Sequence, residues 1–176
     1  MVRAADDYYV TPDWAADIGA GIALLPTVSV VLDPCAGDGA LLRAVQRWRP
    51  GSVVRGLELD AGRAELSGAQ CCDALDQGLA WPDADAIIAN PPFRRWQAFV
   101  DRALAHPAQI VVVLLRLGAL AGQRRRDWWR SVALQRGVTV HVLSRRPSFT
   151  GGGTDSSDYA WISLSRDRSR GGVVWC

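Results

Sequence analysis

Short apolar runs ending in an acid, an amide or a turn recur along the chain, and helical segments separate them. "VSVVLD" ends in Asp33, "SVVRGLELD" carries Glu58, "ADAIIAN" ends in Asn90, and "QIVVVLLRL" follows. Between them, "ALLRAVQRW", "AGRAELSG" and "RWQAFVDRALAH" read as helices, with Leu41, Leu42, Val45 and Trp48 of the first facing inward. Strands alternating with helices predict an α/β fold, a parallel sheet covered by helices on both faces. "AQCCDAL" is a weaker third strand. "VTVHVLS" and "YAWISLS" have no helix between them, which predicts an antiparallel pair at one edge.

Ahead of the first strand, "TPDWAADIGAGIALL" predicts a helix capped by Thr11, with Pro12 at its first position. Trp14, Ile18, Ile22 and Leu25 recur on one face, the expected inward one. "QRRRDWWRSVALQRG" is a basic amphipathic helix. The 176 residues suit one domain, with the polar, Gly-rich tail 166–176 peripheral and frayed until "VVWC". No apolar run reaches the roughly 18 residues that a membrane helix needs, and the first ten residues do not read as a secretion signal.

Net charge is only +2, yet all 20 basic residues are arginine. GC-rich codon usage is one reading; phosphate binding by guanidinium forks is the other. Four cysteines without a CxxC pair, and two histidines far from them, predict neither a zinc site nor a disulfide framework. The chain reads as reduced, intracellular and cytoplasmic.

Ligands of open parallel sheets bind outside the carboxyl ends of the strands. "DPCAGDGALL" stands at such an end, where Gly37 and Gly39 let backbone approach a ligand. It is neither GxxxxGK[ST] nor GxGxxG, which disfavours ATP and dinucleotides. Glu58, beside this turn, can accept from both hydroxyls of a ribose, and Asp73 lies near a nucleobase amino group. Asp33, Glu58 and Asp73 thus end three successive strands.

"DPCAGDG", the acid of "GLELD", "CDAL" and "NPPF", in that order, resemble the S-adenosylmethionine-dependent amino-methyltransferases, especially the DNA adenine-N6 type. The resemblance spans residues 8–165. It implies a seven-stranded Rossmann-like sheet with a reversed edge strand, and S-adenosylmethionine as cofactor. "YYVTP" is similar to an N-terminal motif that helps hold the cofactor, which implies roles for Tyr9, Thr11 and Pro12. Asp33, Pro34, Cys35, Ala36, Gly37, Gly39, Glu58, Leu59, Asp73, Ala74 and Asn90 complete the implied cofactor set. "RRPSFTGGGTDSSDYAWISL" is similar to the late motif lining the target-base pocket.

For "NPPF" the resemblance implies catalysis by Asn90, Pro91, Pro92 and Phe93. The Asn90 side-chain oxygen and the Pro91 carbonyl accept the two hydrogens of an adenine amine, favouring a pyramidal nitrogen aimed at the cofactor's methyl. The prolines restrict the carbonyl's direction. Phe93 stacks on a base that is flipped out or single-stranded. Phe149 closes the other face or packs below it. Arg94, Arg95, Arg145 and Arg146 suit flanking phosphates, and Trp96 reads as core.

The expected partner is DNA, contacted with loose or unknown sequence specificity by a monomer or homodimer. No separate target-recognition region is legible, as in stand-alone phage or prophage enzymes of this kind. RNA and protein glutamine are alternative substrates, although Phe93 stands where protein-glutamine enzymes usually carry tyrosine. A non-catalytic binding module of the same fold is a further alternative.

Overall fold

A strand buried on both faces needs no polar alternation, and β4 (Ala86–Ala89) and β5 (Ile110–Arg116) show none, with only Arg116 reaching partial exposure. The structure is a computed structural model and describes residues 9–149 and 155–176. β1 (Val30–Asp33) lies beside β4 and sends alternate side chains into two cores. Leu32 joins Ile87, Val111 and Val113 against Trp96 and Phe99 of α4 (Trp96–Ala105). Val31 joins Ile88, Val112 and Leu114 against α1 (Asp13–Ala23) and α2 (Ala40–Trp48).

β2 (Val53–Glu58), α3 (Ala61–Ser67) and β3 (Gln70–Cys71) extend the sheet on one side. Beyond β5 come a 3-10 turn (Leu117–Leu120), α5 (Gln123–Gln135), β6 (Gly137–Val142), β7 (Tyr159–Ser165) and β8 (Gly172–Trp175). The sheet order is β3-β2-β1-β4-β5-β7-β6-β8. Only β7 is reversed: with no helix after β6, the chain turns back and inserts between β5 and β6, antiparallel to both.

Among the described residues the sheet has eight strands, not the expected seven. The tail after Ser165 crosses the start of β6 and adds β8 parallel to it, rather than fraying. Gly137 permits that crossing, since a Cβ there would lie 2.2 Å from the Arg170 carbonyl oxygen. The residues of β8 are exposed.

The first helix differs in register from expectation. Ala15, Ala16, Gly19, Ala20 and Ala23 form its buried face, while Trp14, Ile18 and Ile22 are only partly covered. The small face lets α1 lie close on the sheet, over the fully buried Trp161. Trp48 is exposed rather than inward. Among the described residues no helix is long and apolar enough to cross a membrane.

Candidate functional site

The carboxyl ends of β1, β2, β4 and β5 and the start of β7 share one edge of the sheet. In the first turn, Gly37 (φ 55°) and Gly39 (φ 84°) adopt the left-handed backbone. A Cβ on Gly39 would also stand 3.0 Å from Ser67 Cβ, so glycine is required twice over. Buried Asp33 holds the turn from beneath: its Oδ1 accepts from the Cys35 N–H at 3.0 Å. Glu58 holds it from the side. Its Oε2 accepts from the Gly37 N–H at 2.8 Å, and its Oε1 accepts from the Asp60 N–H and pairs with Arg63 at 3.1 Å.

A cavity of about 400 Å³ opens above this turn, within the range of small-molecule sites. Pro34, Cys35, Ala36 and Gly37 line it on one side and Glu58, Leu59, Asp73 and Ala74 on another. Tyr9, Thr11, Asn90 and Pro92 form its rim. Asp73 faces the cavity, while Asp76 accepts from the Gly78 N–H, which separates two acids that look alike in sequence. Pro12, Asp33 and Gly39 do not line the cavity; they shape what does. Asp38, Arg63, Arg95 and Phe99 do line it; of these only Arg95 carries a sequence expectation, as a phosphate contact.

Asn90, just beyond β4, is held by its amide nitrogen. Nδ2 donates to the Tyr9 carbonyl and to Thr11 Oγ1, each at 3.0 Å. A flipped amide would set its oxygen against the Tyr9 carbonyl, acceptor to acceptor, so the orientation is determined. Oδ1 is therefore the atom turned away from this anchor, as an acceptor. Thr11 correspondingly does not cap α1; Pro12 occupies that position without a side-chain cap.

Pro91 is buried, and Phe93 sits in an aromatic group with Tyr9 (5.1 Å), Tyr159 (5.7 Å) and Phe149 (6.1 Å, edge-on). Phe149 is buried and meets Phe93 at a steep angle, so it packs below rather than forming a second stacking face. The Arg116 guanidinium lies 4.5 Å from the Phe93 centroid. Arg116 Nε donates to Tyr159 Oη at 2.9 Å and its Nη2 pairs with Asp155, which also accepts from Tyr159 at 2.6 Å. This trio escapes sequence reading because it joins β5, β7 and the loop between β6 and β7. Residues 150–154 of that loop, and Tyr8 of "YYVTP", lie outside the described residues.

The four arginines assigned to phosphates divide. Arg94 and Arg95 are exposed beside the Asn-Pro-Pro-Phe turn. Arg145 lies over the Trp14 ring at 5.1 Å, and Arg146 pairs with Asp158 at 2.7 Å. Trp96 is core, packed against Trp128 and Trp129.

Burial raises the Asp33 carboxyl to about 7, although the Cys35 N–H opposes the shift. Burial also pushes the Cys35 thiol well up, with the Asp33 charge adding to it. Folded Asp33 binds its proton more tightly than the unfolded chain does. Its stabilisation is thus complete below about pH 4 and is lost as pH rises towards 7. Asp33→Asn, which keeps the acceptor and removes the titration, should gain stability relative to the parent over that window. Melting temperatures of both proteins between pH 4 and pH 8 check this; parallel curves would refute it.

Compared by sequence, the chain matches no family model and no curated protein. Solved structures match it through the fold. A methyltransferase subunit of a type I restriction-modification system from Streptococcus thermophilus superposes with TM-score 0.80 at 18% identity, covering 95% of this chain and 47% of that one. A dimethyladenosine transferase from Plasmodium falciparum gives 0.68 at 16%, covering 92% and 64%. A putative RNA methyltransferase from Pyrococcus horikoshii gives 0.67 at 19%, covering 91% and 88%. The fold is the Rossmann-like methyltransferase fold, and the chain spans about half the length of the restriction-modification subunit.

Proposed function

We propose that this chain is an S-adenosylmethionine-dependent N-methyltransferase acting on the exocyclic N6 amine of adenine in DNA, with loose sequence specificity. The observation that carries the reading is the Asn90 amide, locked by Tyr9 and Thr11 so that its oxygen is left as an acceptor at the cavity rim. When bound, S-adenosylmethionine supplies an electrophilic methyl group on a positively charged sulfur. The cavity suits it: Glu58 Oε2 keeps a lone pair beyond its bond to Gly37 for a ribose hydroxyl, and Asp73 and Leu59 flank the place of a nucleobase.

Asn90 Oδ1 and the Pro91 carbonyl accept the amine's two hydrogens. They stabilise the positive charge that develops on nitrogen and aim its lone pair at the methyl. Phe93 is the stacking surface for the flipped base, and a base entering on the Arg116 side displaces that guanidinium from the ring.

Tritiated methyl transfer to DNA, RNA and protein, each assayed separately, tests the reading. Label recovered as N6-methyladenine from digested DNA is the expected result; label confined to RNA or protein, or none at all, overturns it. Glu58→Ala should weaken cofactor binding by about one to two decades, the worth of a hydrogen bond to a charged acceptor. It also strips the Gly37 N–H and Arg63 of their carboxylate partner. Calorimetric titration showing unchanged affinity would remove Glu58 from the binding set.

A further inference from the structure

On the α4–α5 side of the Asn-Pro-Pro-Phe turn runs a groove lined by Phe93, Arg94, Gln97, Gln123, Arg124 and Arg125, with Trp96 in its floor. It adjoins the cavity directly: Pro92 lines the cavity and its neighbour Phe93 lines the groove. Among the described residues, three guanidinium-bearing side chains and two amides face it, and no carboxylate does. The nearest acids on these helices are engaged elsewhere, Asp127 with Arg126 at 3.0 Å and Asp101 with the Trp128 indole N–H at 2.7 Å.

The groove is also built stiffly. Arg125 donates from Nε to the Ala121 carbonyl and from Nη2 to the Gly118 carbonyl, both at 2.9 Å, which holds its guanidinium at the start of α5 and leaves Nη1. Gly122 (φ 103°) makes the bend that brings these carbonyls round. Beneath, Trp96, Trp128 and Trp129 pack ring on ring, and Trp129 donates to the Ala119 carbonyl at 2.9 Å. On the opposite flank Arg146 is paired with Asp158 at 2.7 Å, so a carboxylate stands among the guanidiniums there.

We propose that this groove is the track for the phosphodiester backbone flanking the target nucleotide, with Arg94, Arg124 and Arg125 as its phosphate contacts. The inference rests on the proposed methyl transfer to a nucleic-acid base and places the strand on the α4–α5 side, away from Arg145 and Arg146. Planar guanidinium forks suit phosphate oxygens, and contacts of that kind position a strand without reading its sequence. Binding through it should be independent of sequence.

The test is anisotropy of labelled oligonucleotides of unrelated sequence (duplex DNA, single-stranded DNA and RNA) across a salt series, with the full chain. Arg124→Ala with Arg125→Ala should flatten the log–log salt slope on duplex DNA by about 1.8, two contacts at about 0.9 each, equally on every sequence. Exposed Arg124 replaced alone should remove about 0.9, which keeps the proposal testable if loss of Arg125 disturbs the fold. Arg145→Ala with Arg146→Ala should change the slope less. A slope indifferent to Arg124 and Arg125, a larger effect from Arg145 and Arg146, or no salt-dependent binding to any oligonucleotide overturns the groove. Methyl transfer to DNA with an indifferent slope overturns the groove alone; a flattened slope without methyl transfer supports the groove and overturns the reaction.

Discussion

Asn90→Ala should lower methyl transfer by about 10²–10³-fold or more, the cost of removing one acceptor or donor aimed at developing charge. Cofactor affinity should fall far less, by about tenfold at most, through the two lost bonds to Tyr9 and Thr11 on the cavity rim. Asn90→Asp should be nearly as inactive despite its similar shape, because its second oxygen would face the Tyr9 carbonyl at the present 3.0 Å and repel it. Thr11→Val is the informative control. It removes one anchor of the amide while leaving Oδ1 in place, so turnover should drop by less than about tenfold. Labelled methyl transfer beside calorimetric cofactor titration separates the two effects. An Asn90→Ala protein keeping a tenth of its turnover would end the assignment of this side chain to the target amine.

Gly19→Val should sharply destabilise the fold. A Cβ at Gly19 would lie 2.5 Å from Trp161 Cζ2 and 2.7 Å from Cε2. Trp161 is fully buried, and its indole N–H donates to the Ala15 carbonyl at 2.9 Å, so the ring cannot turn aside without leaving a buried donor unpaired. Overpacking costs about 1–3 kcal/mol and an unsatisfied buried donor about as much again. Against a total stability of about 5–15 kcal/mol, that is a large fraction. Gly19→Ala should be milder and should be partly rescued by Trp161→Phe, with a coupling of about 0.5–3 kcal/mol in a double-mutant cycle. Circular dichroism and urea unfolding read both; a Gly19→Val protein with the parent's midpoint would refute the close contact.

The strand runs, the glycine turn at "DPCAGDG" and the acids at successive strand ends were legible because each is set by near neighbours in the chain. An unbroken apolar run buries on both faces, and a glycine at positive φ marks its own turn. Where reading failed, a distant residue had intervened. Thr11 looks like a helix cap, yet its hydroxyl accepts from Asn90, 79 positions away. The large residues of α1 set an apparent inward face, but the sheet meets the small one because Trp161 occupies the space beside Gly19.

The sequence by itself therefore determined the fold class and most of the residues that gather round the cavity, since backbone preference and burial pattern act over a few positions. Only the tertiary structure decided which atom of Asn90 faces outward, which of Asp73 and Asp76 meets the cavity, which arginines line a groove, and that the tail adds an eighth strand. Hydrogen bonds and ion pairs reach only a few ångströms, so these outcomes wait on the fold to bring remote partners within range.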